Sequence, residues 1–315
     1  MIEWLGRSEN GEGIRGEKML LVTGITGHSG RYFLQELIDN KYEGTVRCIV
    51  RETSDTSMLD NSGLKIDKVA GDLTDEELMN KAMVGVDTVV HIGSIFYSVT
   101  LMKASVKNNV RRAIVVHTTG IYSKYKSASE EYKNIEMSIQ KIITESNSKI
   151  GLIYLRPTMI YGYLNDRNMI VFIKMVDKLR LFPVISHGKN LLQPVNGRDL
   201  GKAYYQVLSN EDIMSGDYIL SGEKPICMLE MFKLISDNLN KKTTFISVPL
   251  GVGVFMARCL KLVTFGKIDY IEKVQRMGED RSFPHVAAKR DFGYRPMPFS
   301  EGLKIEIEEY LKTVK

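Results

Sequence analysis

The chain has 315 residues, 43% of them hydrophobic and 26% charged, and 43 Lys and Arg against 38 Asp and Glu give a formal charge of +5. That balance excludes a disordered, collagenous or disulfide-stapled chain and allows one large domain or two modest ones. The positive excess is weak and scattered, with no basic run interleaved with aromatics, which argues against nucleic acid as a partner and suits an anionic small-molecule substrate.

Residues 1–17 read as a flexible extension, because Gly6, Gly11, Gly13 and Gly16 break every periodicity; Met19 as an alternative start and a short ordered arm are the other readings. Glu3 and Trp4 stand where a secretion signal would carry positive charge and then an apolar run. From Lys18 a rhythm appears. Met19–Val22 is a short apolar strand followed by glycines, and 31–40 has apolar residues at helical spacing. Strands are predicted at 46–50 and 66–70. A helix follows at 75–84, with Thr74 as its N-cap and Glu77 completing a capping box. A strand at 86–92, a helix at 99–108, a strand at 113–116, a long helix at 129–146 and a strand at 150–155 continue the alternation. Continuous apolar strands alternating with helices predict an α/β fold, a Rossmann-type doubly wound parallel sheet over residues 18–162.

After Arg156-Pro157 the elements shorten. Helices are expected at 169–179, 199–208, 229–239 and 301–312, and extended segments at 192–195, 218–220 and 245–248. Residues 163–315 read as a smaller mixed α/β substrate lobe, with 192–222 returning in part to the Rossmann domain. Leu250–Val263, interrupted by Arg258 and Lys261, falls short of a transmembrane segment and reads as an amphipathic helix, packed on the core or lying on a membrane surface. In the 129–146 helix, Ile135, Ile139 and Ile142 form one stripe, which fits either a homodimer contact or packing on the chain's own sheet. Cys48, Cys227 and Cys259 are too dispersed for a metal site or a disulfide framework and suit a reducing, cytoplasmic location.

The chemistry starts at Gly24-Ile-Thr26-Gly27-His28-Ser29-Gly30, between the first strand and the first helix. Gly24 suits a tight turn, Gly27 a close approach to a pyrophosphate, and Gly30 close helix packing; the helix N-terminus then faces the phosphates. His28 reads as an exposed residue or a phosphate neighbour. Arg51 ends the second strand, where an acid would bind the ribose of NAD; an Arg there favours the 2′-phosphate of NADP(H) over NAD(H), or is a plain surface residue. Asp72, after the third strand, either touches an adenine or caps the next turn.

These residues in order resemble the extended, atypical short-chain dehydrogenase/reductases of the NAD-dependent epimerase/dehydratase family. Thr23–Gly30 is similar to its TGxxGxxG loop, Gly71–Asp75 to GDLxD, Asp87–Ser94 to DxVxHxAA, and Arg156–Gly162 to RPxxxYG. Pro194–Leu200 and Gly293–Gly302 resemble its later segments. The resemblance implies cofactor contacts from the glycine loop, Arg51, Asp72, Leu73, His91, Gly93 and Pro157. It implies a dimer and nucleotide-sugar or related carbonyl and alcohol substrates. It also implies a Tyr acid/base, a Lys four residues later and a Ser or Thr after the fifth strand. Thr118 fills the last role. Tyr132 is followed four residues on by Glu136 instead of Lys, and a carboxylate there would raise a phenol's pKa. Tyr122 and Lys126 carry the right letters but follow the strand too soon. The stretch from His91 to Val110 is short for the family. Three readings stand: Tyr132 with Thr118, Tyr122 with Lys126, or packing and surface roles for both tyrosines. Two functions follow. One is an NAD(P)-dependent enzyme with a modified acid/base set, working in a polar pocket near Thr118, Tyr161 and Asn196. The other is a catalytically degenerate NADP(H)-binding sensor or structural subunit.

Overall fold

A computed structural model describes residues 18–314, so the reading of 1–17 lies outside the described residues. The first half alternates as β1 (Met19–Thr23), α1 (Gly30–Asp39), β2 (Thr45–Val50), α2 (Ser57–Asp60), β3 (Ile66–Ala70), α3 (Glu76–Ala82), β4 (Val86–His91), α4 (Ser98–Lys107), β5 (Arg112–Val116), α5 (Ser129–Glu145) and β6 (Gly151–Pro157). The second half adds β7 (Ile160–Tyr161), α6 (Met169–Lys178), β8 (Leu181–Ile185), β9 (Leu191–Leu192), β10 (Val195–Asn196), α7 (Gly197–Ser209) and β11 (Gly216–Leu220). It continues with β12 (Ile226–Cys227), α8 (Met228–Asn238), β13 (Thr244–Val248), α9 (Leu250–Val263), α10 (Ile271–Met277), α11 (Val286–Phe292) and α12 (Phe299–Val314).

Seven strands form one parallel sheet in the order β11-β6-β5-β4-β1-β2-β3. The order reverses between β1 and β4, which is where a doubly wound sheet opens a crevice at its carboxyl edge. The strands are apolar on both faces because both are covered. Phe33, Leu34 and Leu37 of α1 and Leu200, Tyr204 and Val207 of α7 cover one face. Met79, Leu101, Met102, Ile135 and Ile139 cover the other. A separate core of Ile173, Phe182, Phe232, Ile235 and Leu303 fills the second lobe.

β11 comes from the second half of the chain yet completes the sheet by pairing with β6. Buried Arg112 on β5 binds the neighbouring helix end: its guanidinium donates to the carbonyls of Leu208 at 2.6 Å and Asn210 at 2.8 Å. A cation at the C-terminus of α7 satisfies carbonyls that lack helical partners and complements the helix dipole.

Two local expectations are corrected, and one that stood open between two readings is decided. The N-cap of α3 is Asp75, whose carboxylate accepts from the N–H groups of Glu77 at 2.9 Å and Leu78 at 3.0 Å. A charged acceptor is the stronger cap at the positive end of a helix, and Thr74 is instead held by Asp72. The extended segment 192–195 is two short strands in different sheets. The stripe on α5 faces the chain's own sheet: Ile135 and Ile139 are buried there with Ile142 packed beside them, while the opposite face carries Glu130, Lys133, Gln140 and Lys141 in solvent.

α9 departs from a core-packed helix. Only Gly253 and Ala257 are buried, while Val252, Phe255, Met256, Leu262 and Val263 are exposed.

Candidate cofactor and active site

The glycine loop turns at the switch point between β1 and β4. Gly24 has φ +75°, and a Cβ there would lie 2.7 Å from the Gly93 nitrogen. A Cβ on Gly30 would lie 2.1 Å from the Gly24 carbonyl oxygen, so α1 reaches the loop only without one. Thr26 is half-buried and Gly27 is exposed at the tip. Ser29 precedes α1 without capping it; its buried hydroxyl lies 3.3 Å from the Tyr204 hydroxyl, which donates to it. The helix start therefore has no side-chain cap competing for its N–H groups, the arrangement that receives a phosphate.

His91 is fully buried and does not reach the crevice. Its Nε2–H donates to the Ser94 carbonyl at 3.1 Å, so Nδ1 accepts from the Thr23 hydroxyl at 2.6 Å. Burial, with the nearby His117, lowers its pKa to about 3 and keeps it neutral. Thr23 also accepts from the Gly93 N–H at 3.4 Å. This chain fixes Gly93 against Gly24, and Leu73 packs next to Gly93. Pro157 is buried, and its carbonyl accepts from the Thr119 hydroxyl at 3.2 Å.

Arg51 and Asp72 are exposed at the carboxyl ends of β2 and β3. The Asp72 carboxylate accepts from the Thr74 N–H at 2.8 Å and its hydroxyl at 2.7 Å, which holds its pKa down together with the charge of Arg51. Asp72 thus has the turn-capping contacts. Arg31, directly after the loop, was not singled out in the sequence. Its guanidinium lies 4.1 Å above the Tyr163 ring, and its buried Nε has no partner among the described residues. His28 is half-buried rather than exposed: its ring lies 5.6 Å from Tyr163, burial lowers its pKa, and its Nε2 is also buried without a partner.

A cavity of about 480 Å³ runs from His28 past the ends of β5 and β6 to the second lobe. Thr118, Tyr122, Lys126 and Tyr132 all line it. The Thr118 hydroxyl accepts from the Gly120 N–H at 2.9 Å, which leaves its proton for another acceptor. Tyr132 is largely buried beside Phe96, and the Lys126 ammonium lies 5.6 Å from the centre of its ring. Burial raises the Tyr132 pKa; Arg276 acts to lower it, and Glu131 and Glu272 to raise it. Burial also lowers the Lys126 pKa, with Arg276 acting in the same direction. Tyr122 is half-exposed, its ring centre 5.6 Å from that of Phe283 and tilted 39° to it.

Glu136 faces elsewhere. Its carboxylate accepts from His117 Nδ1–H at 2.8 Å and from both terminal nitrogens of Arg156 at 2.6 and 2.9 Å. Arg156 also donates to Asp217 at 2.6 and 2.8 Å. Glu136 is not among the groups that perturb Tyr132, so the expectation that it would raise that phenol's pKa is replaced by burial as the cause. His117 Nε2 in turn lies 3.1 Å from the Ser98 hydroxyl. Ser, His and Glu are thus aligned as in a hydrolytic triad, but Ser98 is 0% exposed, so no substrate reaches it.

Tyr161 and Asn196 do not line the cavity. Both are 1% exposed; Tyr161 Oη donates to the Phe299 carbonyl at 3.5 Å, and Asn196 caps α7. The polar groups there come from a segment without any motif. Arg276 and Arg281 line the cavity, and the Nε of each is buried without a hydrogen-bond partner among the described residues. Burial lowers the Arg281 pKa to about 10, so the group stays a cation near neutrality. The neighbouring acids are engaged with backbone: Glu279 accepts from the Lys124 N–H and Asp280 from the Leu191 N–H, both at 2.8 Å.

An NAD(P)H-binding family model matches residues 24–159. The chain is 21% identical, over 62% of its length and 67% of the relative, to an N-acetyl-α-D-glucosaminyl-diphospho-ditrans,octacis-undecaprenol 4-epimerase of Escherichia coli O157:H7. The UDP-glucose 4-epimerase of Thermotoga maritima, solved with UDP-glucose, superposes with a TM-score of 0.69 at 17% identity, covering 94% of this chain and 100% of that one. DesIV, a dTDP-glucose 4,6-dehydratase of Streptomyces venezuelae solved with NAD bound, gives 0.70 at 19% identity, covering 93% and 97%. Residues 24–159 thus match an NAD(P)H-binding family on a Rossmann-type sheet, and the fold of the whole chain is that of these solved epimerase and dehydratase structures.

Proposed function

We propose that the protein is an NAD(P)-dependent epimerase, dehydratase or reductase acting on a nucleotide sugar or a related diphosphate-bearing sugar, with NADP(H) preferred over NAD(H). The observation that carries this reading is the meeting, in one cavity that opens on the glycine loop, of two hydroxyls, Thr118 and Tyr132, with two half-buried arginines, Arg276 and Arg281, whose buried Nε atoms have no hydrogen-bond partner among the described residues. A buried N–H donor without a partner is costly unless an acceptor arrives to pair with it. Two guanidinium forks suit a diphosphate.

The residues present fit a dinucleotide. The side-chain-free cradle at Gly24, Gly27 and Gly30 and the uncapped start of α1 would hold its pyrophosphate, and the unpartnered Nε2 of His28 and Nε of Arg31 lie beside that cradle. Arg51 and Arg31 would pair with a 2′-phosphate. Bound there, a nicotinamide supplies or accepts the hydride. The chain's own groups handle binding and the proton. Thr118 donates its free proton to the reacting oxygen. Tyr132, kept protonated by burial, exchanges its phenolic proton with that oxygen. Arg276, the cation that acts to lower the Tyr132 pKa, stabilises the phenolate that remains, and Lys126, over the face of the ring, adds positive charge on the side where the lysine missing at position 136 would stand. A small soluble substrate and the three free thiols suit the cytoplasm.

The position of Glu136 favours a second reading, an NADP(H)-binding sensor or structural subunit that has lost the chemistry. One experiment separates the two. Thermal shifts with NADPH, NADH, UDP-glucose and dTDP-glucose are measured on wild type, Arg51→Ala and Arg281→Met, alongside turnover of the reduced cofactor. The enzyme reading expects NADPH to stabilise more than NADH, and Arg51→Ala to erase that difference. It expects Arg281→Met to remove stabilisation by the nucleotide sugar alone, and Tyr132→Phe to cost about a hundredfold or more in turnover. Stabilisation by NADPH with no turnover and no sugar-dependent shift supports the second reading. No stabilisation by either cofactor sinks both.

A further inference from the structure

The largest unexplained feature is the outer face of α9 and the turn after it. Phe265 is 93% exposed, Leu262 and Val263 are each 76% exposed, and Phe255 is 66% exposed. At 100° per residue, Val252, Phe255, Met256, Cys259, Leu262 and Val263 fall within an arc of about 120°. The opposite side holds the helix to the protein through its smallest residues. Gly253 sits so close to Ile185 that a Cβ would lie 2.6 Å from its Cδ1, and Ala257 is buried one turn on. Phe265 itself has φ +51°, in the left-handed region where a helix end ordinarily takes Gly. Its ring is thus held outward at a position where a bulky side chain is unfavourable.

The surroundings of this arc are basic. Arg258, Lys261 and Lys267 lie within 250–268, a stretch without any acidic residue; Asp269 follows and pairs with Lys261 at 2.7 Å. α9 has 14 residues, about 21 Å of helix at 1.5 Å per residue, too short to cross a hydrocarbon core of roughly 30 Å. Among the described residues no helix is long and apolar enough to do so.

We propose that α9 and the turn through Ile268 are an interfacial element that docks the protein on an anionic lipid surface. The helix lies in the plane of the interface, with Phe255, Leu262, Val263 and Phe265 among the acyl chains and Arg258 and Lys267 at the head groups, while Lys261, in line with Gly253 and Ala257 and paired with Asp269, stays on the protein side. Charge selects this occupant over a second copy of the chain. In a two-fold contact the patch meets itself, so its basic rim would face a basic rim, whereas an anionic surface complements it. α10 joins this face to the cavity: its Val274 packs on Gly253, and its Arg276 lines the cavity wall. The inference is independent of the reaction proposed above.

The test is co-sedimentation of the full-length protein with vesicles of phosphatidylcholine alone and of equimolar phosphatidylcholine and phosphatidylglycerol. Binding is expected to the anionic vesicles and to weaken as salt is raised. Phe255→Asp combined with Phe265→Asp is expected to reduce it by about tenfold or more, since each aromatic contributes a large buried apolar area. Both side chains face solvent, so this variant should keep the wild-type unfolding midpoint, which shows that it is folded. Wild type that stays in the supernatant with anionic vesicles, or binding that the double substitution leaves intact, overturns the proposal. So does a soluble dimer, seen by sedimentation equilibrium, that the double substitution dissociates while vesicles bind neither protein; that result assigns the face to a second copy.

Discussion

α5 and α9 are both amphipathic in sequence, and they end in opposite situations. On α5 the apolar stripe is made of isoleucines that pack on the sheet, and the outer face is charged. On α9 the residues that meet the protein are Gly253 and Ala257, and the bulky ones meet water. A helical stripe shows that something apolar covers a helix; it does not say that the covering comes from the same chain. The sign that tells the two apart is which residues are small. Small side chains at i and i+4 mark a face pressed against a backbone or another helix, and bulky ones on the opposite face are then left for an outside partner.

The contrast can be broken most severely at Ile139. Ile139→Asp puts a carboxylate into the layer under the sheet and should cost about 4 kcal/mol or more, enough to unfold a marginally stable domain. Chemical denaturation that finds an ordinary midpoint would mean that α5 is not a core helix. Glu136 sharpens the same helix from its polar side. Glu136→Ala leaves His117 without its acceptor and Arg156 with Asp217 alone, and about 3 kcal/mol should be lost. Burial pushes this carboxyl's pKa up, but hydrogen bonds from His117 and Arg156 and their charges more than reverse that, bringing it to about 2 from an ordinary 4.5. A lowered folded pKa gives stability that is complete above the unfolded value and is lost on acidification, here between about pH 4.5 and 2. Denaturation midpoints across that window should fall steeply in wild type and less so in Glu136→Ala; parallel slopes would remove Glu136 from the account. The smallest effect belongs to α9. Val263→Asp should leave stability within about 0.5 kcal/mol of wild type, and a larger loss would show that α9 is covered after all.

The sheet was legible because its parts are dictated locally. Gly24 and Gly30 stand where a Cβ would meet backbone, and the continuous apolar strands announce burial on both faces. Short elements such as β8 escaped, since Pro183 interrupts its strand pattern and its pairing with β13 depends on residues some sixty positions away. Thr118 and Tyr132 were legible as candidates from their places after a strand and in a helix, and both line the cavity. Lys126 could not be linked to Tyr132 by spacing, because it reaches that ring from the loop before α5 rather than from the helix turn after it. Arg276 and Arg281 had no motif at all. What sets them apart is that Glu279 and Asp280 between them are engaged with backbone, and only the folded chain reveals that.

The pairing of β11 with β6 also bears on how the chain is made. β6 is a fully buried strand, and its second neighbour is residues 216–220, so it has a bare apolar edge until about sixty more residues have been synthesised. At about 5–20 residues per second that interval lasts several seconds. During it the nascent first half presents an open strand edge, with Arg156 still short of Asp217. A ribosome paused before residue 220 would hold the chain at its most aggregation-prone, so synthesis through this stretch should depend more on chaperones than synthesis of the glycine loop.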